Sequence, residues 1–169
     1  MIAAIFGFAG VVLGSLTTSI LTIYRERIVH QRERTAREQQ YQRERKAARD
    51  AFQRESVLAL QSAVTDLIGA AYGELDRLLD EFRETGRWSA RQWETPTAVG
   101  WSTALLRLES SRARVFDDEV RSLADELRTV AGKSVWAKDL ESAKETSRHL
   151  EPLLSRFHAA VNAILPNLY

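Results

Sequence analysis

Residues 52–82 read FQRESVLALQSAVTDLIGAAYGELDRLLDEF, and this stretch decides the fold of the chain. Apolar side chains recur in it every three or four positions, which is the spacing of one face of an α-helix. They are Phe52, Val57, Leu60, Val64, Leu67, Ile68, Ala71, Leu75, Leu78 and Phe82. The stretch therefore predicts an amphipathic helix that buries one side in a core, and Gly86 is expected to end it.

Two more stripes with helical spacing follow along the chain. Their members are Trp101, Leu105, Leu108, Val115, Phe116, Val120, Leu123, Leu127 and Val130, and then Trp136, Leu140, Ala143, Leu150, Leu154, Phe157, Val161, Ile164 and Leu168. Short connections between long helices favour antiparallel neighbours. Residues 57–169 are therefore predicted to form an all-α, antiparallel three-helix bundle, or a four-helix bundle if the chain turns a corner near Val115.

Helix-start and helix-stop residues set the expected boundaries. Pro96 suits a first helical turn, and the acidic run at residues 117–119 suits a helix N-terminus. Gly132 is expected to end one helix and Ser134 to open the last one. Pro152 lies within the last stripe, which keeps its phase on both sides, so we expect a kinked but continuous helix there.

Residues 1–24 carry no charged side chain and predict a transmembrane helix. A helix of this length measures about 34 Å, enough to cross a hydrocarbon core of about 30 Å. Tyr24, followed by Arg25, Arg27 and Arg32, predicts contact with lipid headgroups at the end of the span. Because these cations follow the span, we expect the N-terminus outside the plasma membrane and the body of the protein in the cytoplasm.

A cleavable signal peptide and a buried helix of a soluble bundle are the alternatives for this stretch. A signal peptide needs basic residues before its apolar part, and none precedes it here. The span also carries small side chains at alternating spacings of four and three, which keeps them on one side of a helix: Ala3, Gly7, Gly10, Gly14 and Thr17. Such a face predicts a homodimer through the span, although glycine is in any case common in transmembrane helices.

Residues 25–56 predict a charged helical stalk. They contain ten basic and six acidic side chains, no glycine and no proline. Their residue types favour a helix, while their apolar seam is too poor for a strong coiled coil. A straight helix of this length would measure about 48 Å, which is typical of a spacer.

Composition argues against several function classes. The whole chain has a formal net charge of +1, and nucleic-acid binders usually carry a clear basic excess. The chain has no cysteine, so thiolate metal sites and thiol nucleophiles are excluded. His149 and His158 are nine positions apart and do not share a helix face as two metal ligands would. We therefore expect no enzyme activity, no metal and no cofactor.

Tryptophans are the most informative candidates for a partner site. Trp88, Trp93 and Trp101 crowd one connection between helices. Tryptophan is enriched at the energetic centres of interfaces, which favours a partner contact. Packing at the end of the bundle is the interpretation that we favour for the same three rings, and a partner contact is the other hypothesis.

The chain resembles small, arginine-rich, N-terminally membrane-anchored helical proteins of actinobacterial type. The similarity rests on residues 52–67 (FQRESVLALQSAVTDL) and residues 114–127 (RVFDDEVRSLADEL), placed after an N-terminal span. The resemblance implies the same layout of anchor, stalk and helical body, and it implies no particular activity. The b subunit of ATP synthase has a similar plan of anchor and rod, but Pro96 and Pro152 interrupt any long coiled coil here.

Taken together, the sequence predicts a membrane-tethered interaction or scaffold module with a cytoplasmic helical bundle. Its expected partners are membrane lipid and an unidentified cytoplasmic or membrane protein, but no nucleic acid. A phage-type lysis or exclusion protein, whose glycine-faced span assembles in the bilayer, is the alternative function.

Overall fold

The computed structural model describes the backbone of residues 2–88 and 96–168 and the side chains of residues 30–88 and 99–168. Over this part of the chain the regular elements are all helical, which confirms the all-α prediction. They are α1 (Ile2–Thr85), α2 (Pro96–Arg112), α3 (Asp118–Val135), α4 (Leu140–Ser147), α5 (Leu150–Ile164) and a 3-10 helix at Leu165–Leu168. The chain divides into two units, residues 1–48 and residues 49–169.

The first unit is helical from Ile2 onward. From residue 30 to residue 48 every side chain is exposed. The side-chain contacts of Glu33 there are long, with His30 Nδ1 3.8 Å and Arg37 Nη2 3.9 Å from Glu33 Oε2. Exposed pairs of this kind contribute a few tenths of a kcal/mol at most, so helix propensity holds this segment.

Within the residues whose side chains are described, we find no helix with the length and apolarity to cross a membrane. The predicted span at residues 1–24 lies outside those residues, as does its small-residue face. Tyr24, Arg25 and Arg27 also lie outside them. Arg32 is an exposed residue of α1.

The second unit is the helical bundle, and it includes residues 49–56, which the sequence placed with the stalk. Its core takes side chains from α1, α2, α3 and α5. The largest fully buried members are Phe157, Leu60, Leu67, Leu78, Leu108, Leu127, Leu150, Val57, Val64, Val115, Val120 and Val135. A smaller cluster joins Leu75 to Ala137 and Ala143, with Trp88 packed against it.

Polar contacts fix how neighbouring helices run. Gln53 of α1 bonds to the backbone at Arg114, just after the end of α2, whereas Asp66, further along α1, pairs at 2.5 Å with Arg107, which comes earlier in the chain. Likewise, Arg112 Nη1 at the end of α2 lies 3.1 Å from Asp125 Oδ1, and Glu109, earlier in α2, lies 3.3 Å from Arg128, which comes later in α3. Both pairs of helices are therefore antiparallel.

Gly86 ends α1, as predicted. Its φ of +67° lies in the left-handed region, and its N–H donates to the carbonyl of Phe82 at 2.9 Å. Glycine adopts this conformation without the steric cost of a side chain, so it closes the last turn of the helix.

The chain does turn a corner at Val115. The stretch from Trp101 to Val130 therefore forms two helices, which is the alternative that the sequence analysis gave for a corner at this residue. Helix α2 ends at Arg112, and α3 begins after Asp117, whose Oδ1 accepts a hydrogen bond from the N–H of Val120 at 2.9 Å. Asp118 and Glu119 occupy the first turn of α3, where carboxylates interact favourably with the helix dipole. The prediction that this acidic run starts a helix is confirmed.

The expected boundary at Gly132 and Ser134 is wrong. Helix α3 continues through both residues to Val135, and Ser134 is buried with its Oγ donating to the carbonyl of Ala131 at 2.8 Å. A glycine inside a helix costs about 1 kcal/mol, which is less than the stabilisation from burying the apolar stripe that continues to Val135.

The helix that follows α3 begins later than predicted, since α4 starts at Leu140. Asp139 caps it instead of Ser134, because its Oδ1 accepts a hydrogen bond from the N–H of Ser142 at 2.8 Å. This hydrogen bond lowers the pKa of the Asp139 carboxyl, since it favours the charged form. The cap is therefore in its carboxylate form at neutral pH.

The prediction of a kinked, continuous helix around Pro152 is also wrong. Helix α4 ends at Ser147 and α5 begins at Leu150, so Pro152 lies in the first turn of a new helix. An N–H at that position has no partner within its helix, and proline loses nothing there. In a continuous helix its ring would clash with the carbonyl of Arg148, which explains why the chain breaks just before it.

Candidate interaction surface

Gln53 connects α1 to the corner at residues 113–117. Its side-chain Nε2 donates to the carbonyl of Arg114 at 3.0 Å, and its Oε1 accepts from the N–H of Phe116 at 2.8 Å. Gln53 is only 6% exposed, so these bonds are shielded from water. The amide thus satisfies both a donor and an acceptor that the corner leaves outside any helix.

Two phenylalanines meet beside this contact. The ring centroids of Phe52 and Phe116 are 6.2 Å apart at an interplanar angle of 42°. Phe52 is 39% exposed and Phe116 is 53% exposed. Both were predicted as members of core stripes, and the structure corrects this, because each ring remains substantially in contact with solvent.

An arginine lies over each of these rings. The guanidinium carbon of Arg49 is 5.3 Å from the ring centroid of Phe116, and that of Arg114 is 5.2 Å from the centroid of Phe52. Both distances are within the range of a cation–π interaction, which stabilises such a pair by about 0.5–1 kcal/mol at an exposed site. We call Arg49, Phe52, Arg114 and Phe116 the arginine–phenylalanine surface.

The two arginines of this surface differ in their ion pairing from several other arginines of the bundle. Within the described part of the chain, neither Arg49 nor Arg114 has a carboxylate within 4.0 Å, whereas paired arginines include Arg77, Arg112 and Arg128. The arginine–phenylalanine surface therefore presents two guanidinium groups, without an ion-pair partner among the described residues, next to exposed aromatic area. Arginine and aromatic residues are the types most enriched at protein interfaces.

A depression lies between α2 and α3, with a volume of about 440 Å³. It is lined by Glu109, Arg112, Ala113, Asp118, Arg121, Ser122 and Asp125. Arg112 pairs with Glu109 at 2.7 Å and with Asp125 at 3.1 Å, and Arg128 lies 3.3 Å and 3.0 Å from the same two carboxylates. Since these charges neutralise one another, the depression is a weaker candidate for a binding site.

The structure places two of the three predicted tryptophans in packing contacts. Trp101 belongs to the core and lies beside Gly132, where an added Cβ would be 4.0 Å from its ring. Trp88 donates from Nε1 to the carbonyl of Ala137 at 2.9 Å. Trp93 lies outside the described residues. Bundle packing, the alternative to a partner contact, accounts for the positions of Trp88 and Trp101.

Among residues 30–88 and 99–168 we find no cluster of three or more side chains able to hold a metal ion. His158 Nδ1 lies 3.3 Å from Gln61 Nε2, a contact between α5 and α1. Comparison of the chain with protein-family models, curated proteins and solved structures gave no match. Its role is therefore inferred from its own residues.

Replacing Gln53 with alanine should lower the free energy of unfolding of the bundle by about 2 kcal/mol. The change leaves a backbone donor and a backbone acceptor of the corner without partners in a poorly hydrated site. Denaturant unfolding followed by tryptophan fluorescence measures this. Gln61→Ala is the matched control, because it removes one long contact of a half-buried glutamine. Equal losses in the two variants would contradict the role assigned to Gln53.

Proposed function

We propose that the chain is a membrane-tethered, non-enzymatic interaction module. In this proposal residues 1–24 anchor it in the plasma membrane and the bundle presents its surface to a partner protein in the cytoplasm. The observation that carries the proposal is the extent of α1, which runs from Ile2 to Thr85 as one helix. This helix includes both the uncharged apolar stretch and the stripe that packs into the bundle core.

The tether rests on solvation of the first 24 residues. An uncharged stretch of this length is favourable in hydrocarbon, and a helix satisfies its own backbone groups there. Tyr24 ends this stretch, Arg25 and Arg27 follow it, and Arg32 comes five residues after Arg27. These residue types fit the headgroup region on the cytoplasmic side, so the orientation has the N-terminus outside.

The interaction role rests on the arginine–phenylalanine surface. The rings of Phe52 and Phe116 place aromatic area in water beside two guanidinium groups, and adjacent exposed apolar area of this kind is typical of interaction sites. A partner that covers the rings and pairs with the arginines removes this area from water. The role needs no reacting group, and it is independent of the neutralised depression between α2 and α3.

The alternative function is a lysis or exclusion protein that assembles through its span. The small-residue face formed by Gly7, Gly10 and Gly14 favours it, since such faces allow two helices to approach closely. Overexpression separates the two proposals. Depolarisation of the membrane that is lost when Gly10 and Gly14 are both changed to isoleucine would support the alternative, and accumulation without depolarisation supports the interaction module.

Protease protection tests the proposed topology. The full chain with a C-terminal epitope tag is expressed in bacteria, and spheroplasts are treated with protease from outside. We expect the tag to remain intact until the membrane is permeabilised with detergent. Digestion of the tag in intact spheroplasts, with a cytoplasmic control protein still protected, would contradict a bundle in the cytoplasm.

A further inference from the structure

We propose that the arginine–phenylalanine surface binds a short acidic segment of a partner protein. In this arrangement one carboxylate pairs with Arg49, another with Arg114, and an apolar side chain between them lies on the rings of Phe52 and Phe116. The proposal rests on the interaction role proposed for the chain, and it specifies the partner by the chemical character of its segment. It does not depend on the membrane tether.

Charge complementarity points to carboxylates. Each guanidinium lies over a ring, with its carbon 5.3 Å from the ring centroid for Arg49 and 5.2 Å for Arg114, and the N–H donors of a guanidinium lie in its own plane, around its edge. The N–H groups at those edges can donate two parallel hydrogen bonds to a carboxylate, which is the strongest geometry that arginine forms with an anion. Both arginines are exposed, so a partner can reach them.

The surface is held in place before any partner binds. Gln53 bonds to the backbone on both sides of Val115, and Asp117 caps α3 immediately after Phe116. The corner that carries Arg114 and Phe116 is thereby fixed against α1. Binding to a preorganised surface loses less conformational entropy, which favours recognition of a short segment by few side chains.

The number of charges favours a peptide over a membrane surface. Anionic membranes are usually recognised by clusters of about four to eight basic residues, and this surface has two. Carboxylates also follow it directly at Asp117, Asp118 and Glu119, and they would be repelled by a densely anionic lipid layer or a nucleic-acid backbone. A peptide can place its carboxylates at two points and avoid these residues.

Selection from a random peptide library tests the proposal. The full chain is immobilised in neutral detergent micelles and panned against the library. We expect enriched sequences to carry two or more Asp or Glu residues flanking a large apolar residue. An enriched peptide is then synthesised, labelled and titrated with the chain. Binding is expected to weaken at least about tenfold for the double variant Arg49→Glu/Arg114→Glu and for Phe116→Ala.

Matched variants distinguish a direct loss of peptide binding from a loss of folding. Arg121→Ala removes another exposed arginine, which is already paired with Asp118, and it should leave peptide binding unchanged. A peptide with lysine in place of its acidic residues should recover binding to the charge-reversed double variant. Thermal unfolding of each variant shows whether the bundle is intact.

Several results would overturn the proposal. These are enrichment of peptides without acidic residues, no enrichment above empty resin, or equal loss of binding in Arg121→Ala. Binding of soluble short-chain phosphatidylglycerol but not phosphatidylcholine, abolished by Arg49→Glu/Arg114→Glu, would assign the surface to lipid instead. If protein partners still crosslink to the bundle while peptide selection fails, the interaction module stands and the acidic segment is wrong.

Discussion

Replacing Phe157 with alanine is expected to lower the free energy of unfolding of the bundle by about 4 kcal/mol. The ring is fully buried in the core cluster, and it is the largest fully buried side chain among residues 30–88 and 99–168. Its removal loses the transfer free energy of the ring and leaves a cavity that α1, α3 and α5 cannot close without moving. Denaturant unfolding of the full chain in neutral detergent, followed by tryptophan fluorescence, measures the loss.

Tryptophan fluorescence reports on the bundle because Trp88 and Trp101 pack within it. Leu106→Ala is the control for Phe157→Ala, since Leu106 is an exposed residue of α2 and its truncation should cost less than about 0.5 kcal/mol. A loss below about 1 kcal/mol for Phe157→Ala would show that α5 is not packed into the core as described.

Replacing Arg77 with alanine is expected to cost about 3 kcal/mol, because it leaves a buried carboxylate without a counter-charge. The Glu74 side chain is 9% exposed, and its Oε1 accepts from Arg77 Nη2 at 2.7 Å and Nε at 3.1 Å. Within the described residues, Glu74 Oε2 has no hydrogen-bond partner. Arg77 also pairs with Glu81 at 2.9 Å, and urea unfolding measures the effect of its removal.

An exposed pair on the same helix supplies the control. Arg83 and Asp80 have the same i,i+3 spacing at 2.8 Å, but both side chains are largely exposed, so Arg83→Ala should cost less than about 0.5 kcal/mol. The double variant Arg77→Ala/Glu74→Leu should recover much of the loss, because it removes the orphaned charge. Similar effects of Arg77→Ala and Arg83→Ala would contradict this description.

The raised pKa of Arg77 should not make stability depend on pH in the neutral range. The hydrogen bond from Arg77 to Glu74 raises the pKa of Arg77 above its already high ordinary value. A group whose pKa is raised by folding contributes stability at lower pH and loses it only as pH rises through the folded value. For arginine that region lies far above neutrality.

Local patterns predicted the parts of the fold that depend on local physics. The apolar spacing of residues 52–82 placed the core face of α1, and Gly86 marked its end because the left-handed conformation favours glycine. The acidic run at residues 117–119 marked the start of α3, because a side-chain cap and the helix dipole act within one turn.

Features that depend on tertiary contacts could not be predicted from local sequence patterns. Gly132 looks like a helix end, but core packing carries α3 past it to Val135. The arginine–phenylalanine surface could not be predicted either, because Gln53 and the corner that it binds are more than sixty residues apart along the chain. Periodicity alone assigned Phe52 and Phe116 to the core, and it cannot show that Phe116 lies in a corner outside any helix.

Membrane fractionation tests the central claim of a tether most directly. Cell lysate containing the full chain is ultracentrifuged without detergent, and the membrane pellet is washed with alkaline carbonate. We expect the full chain to stay in the washed pellet and a variant lacking residues 2–24 to move to the supernatant. Recovery of the full chain in the first supernatant would contradict the tether, and with it the proposed compartment and orientation.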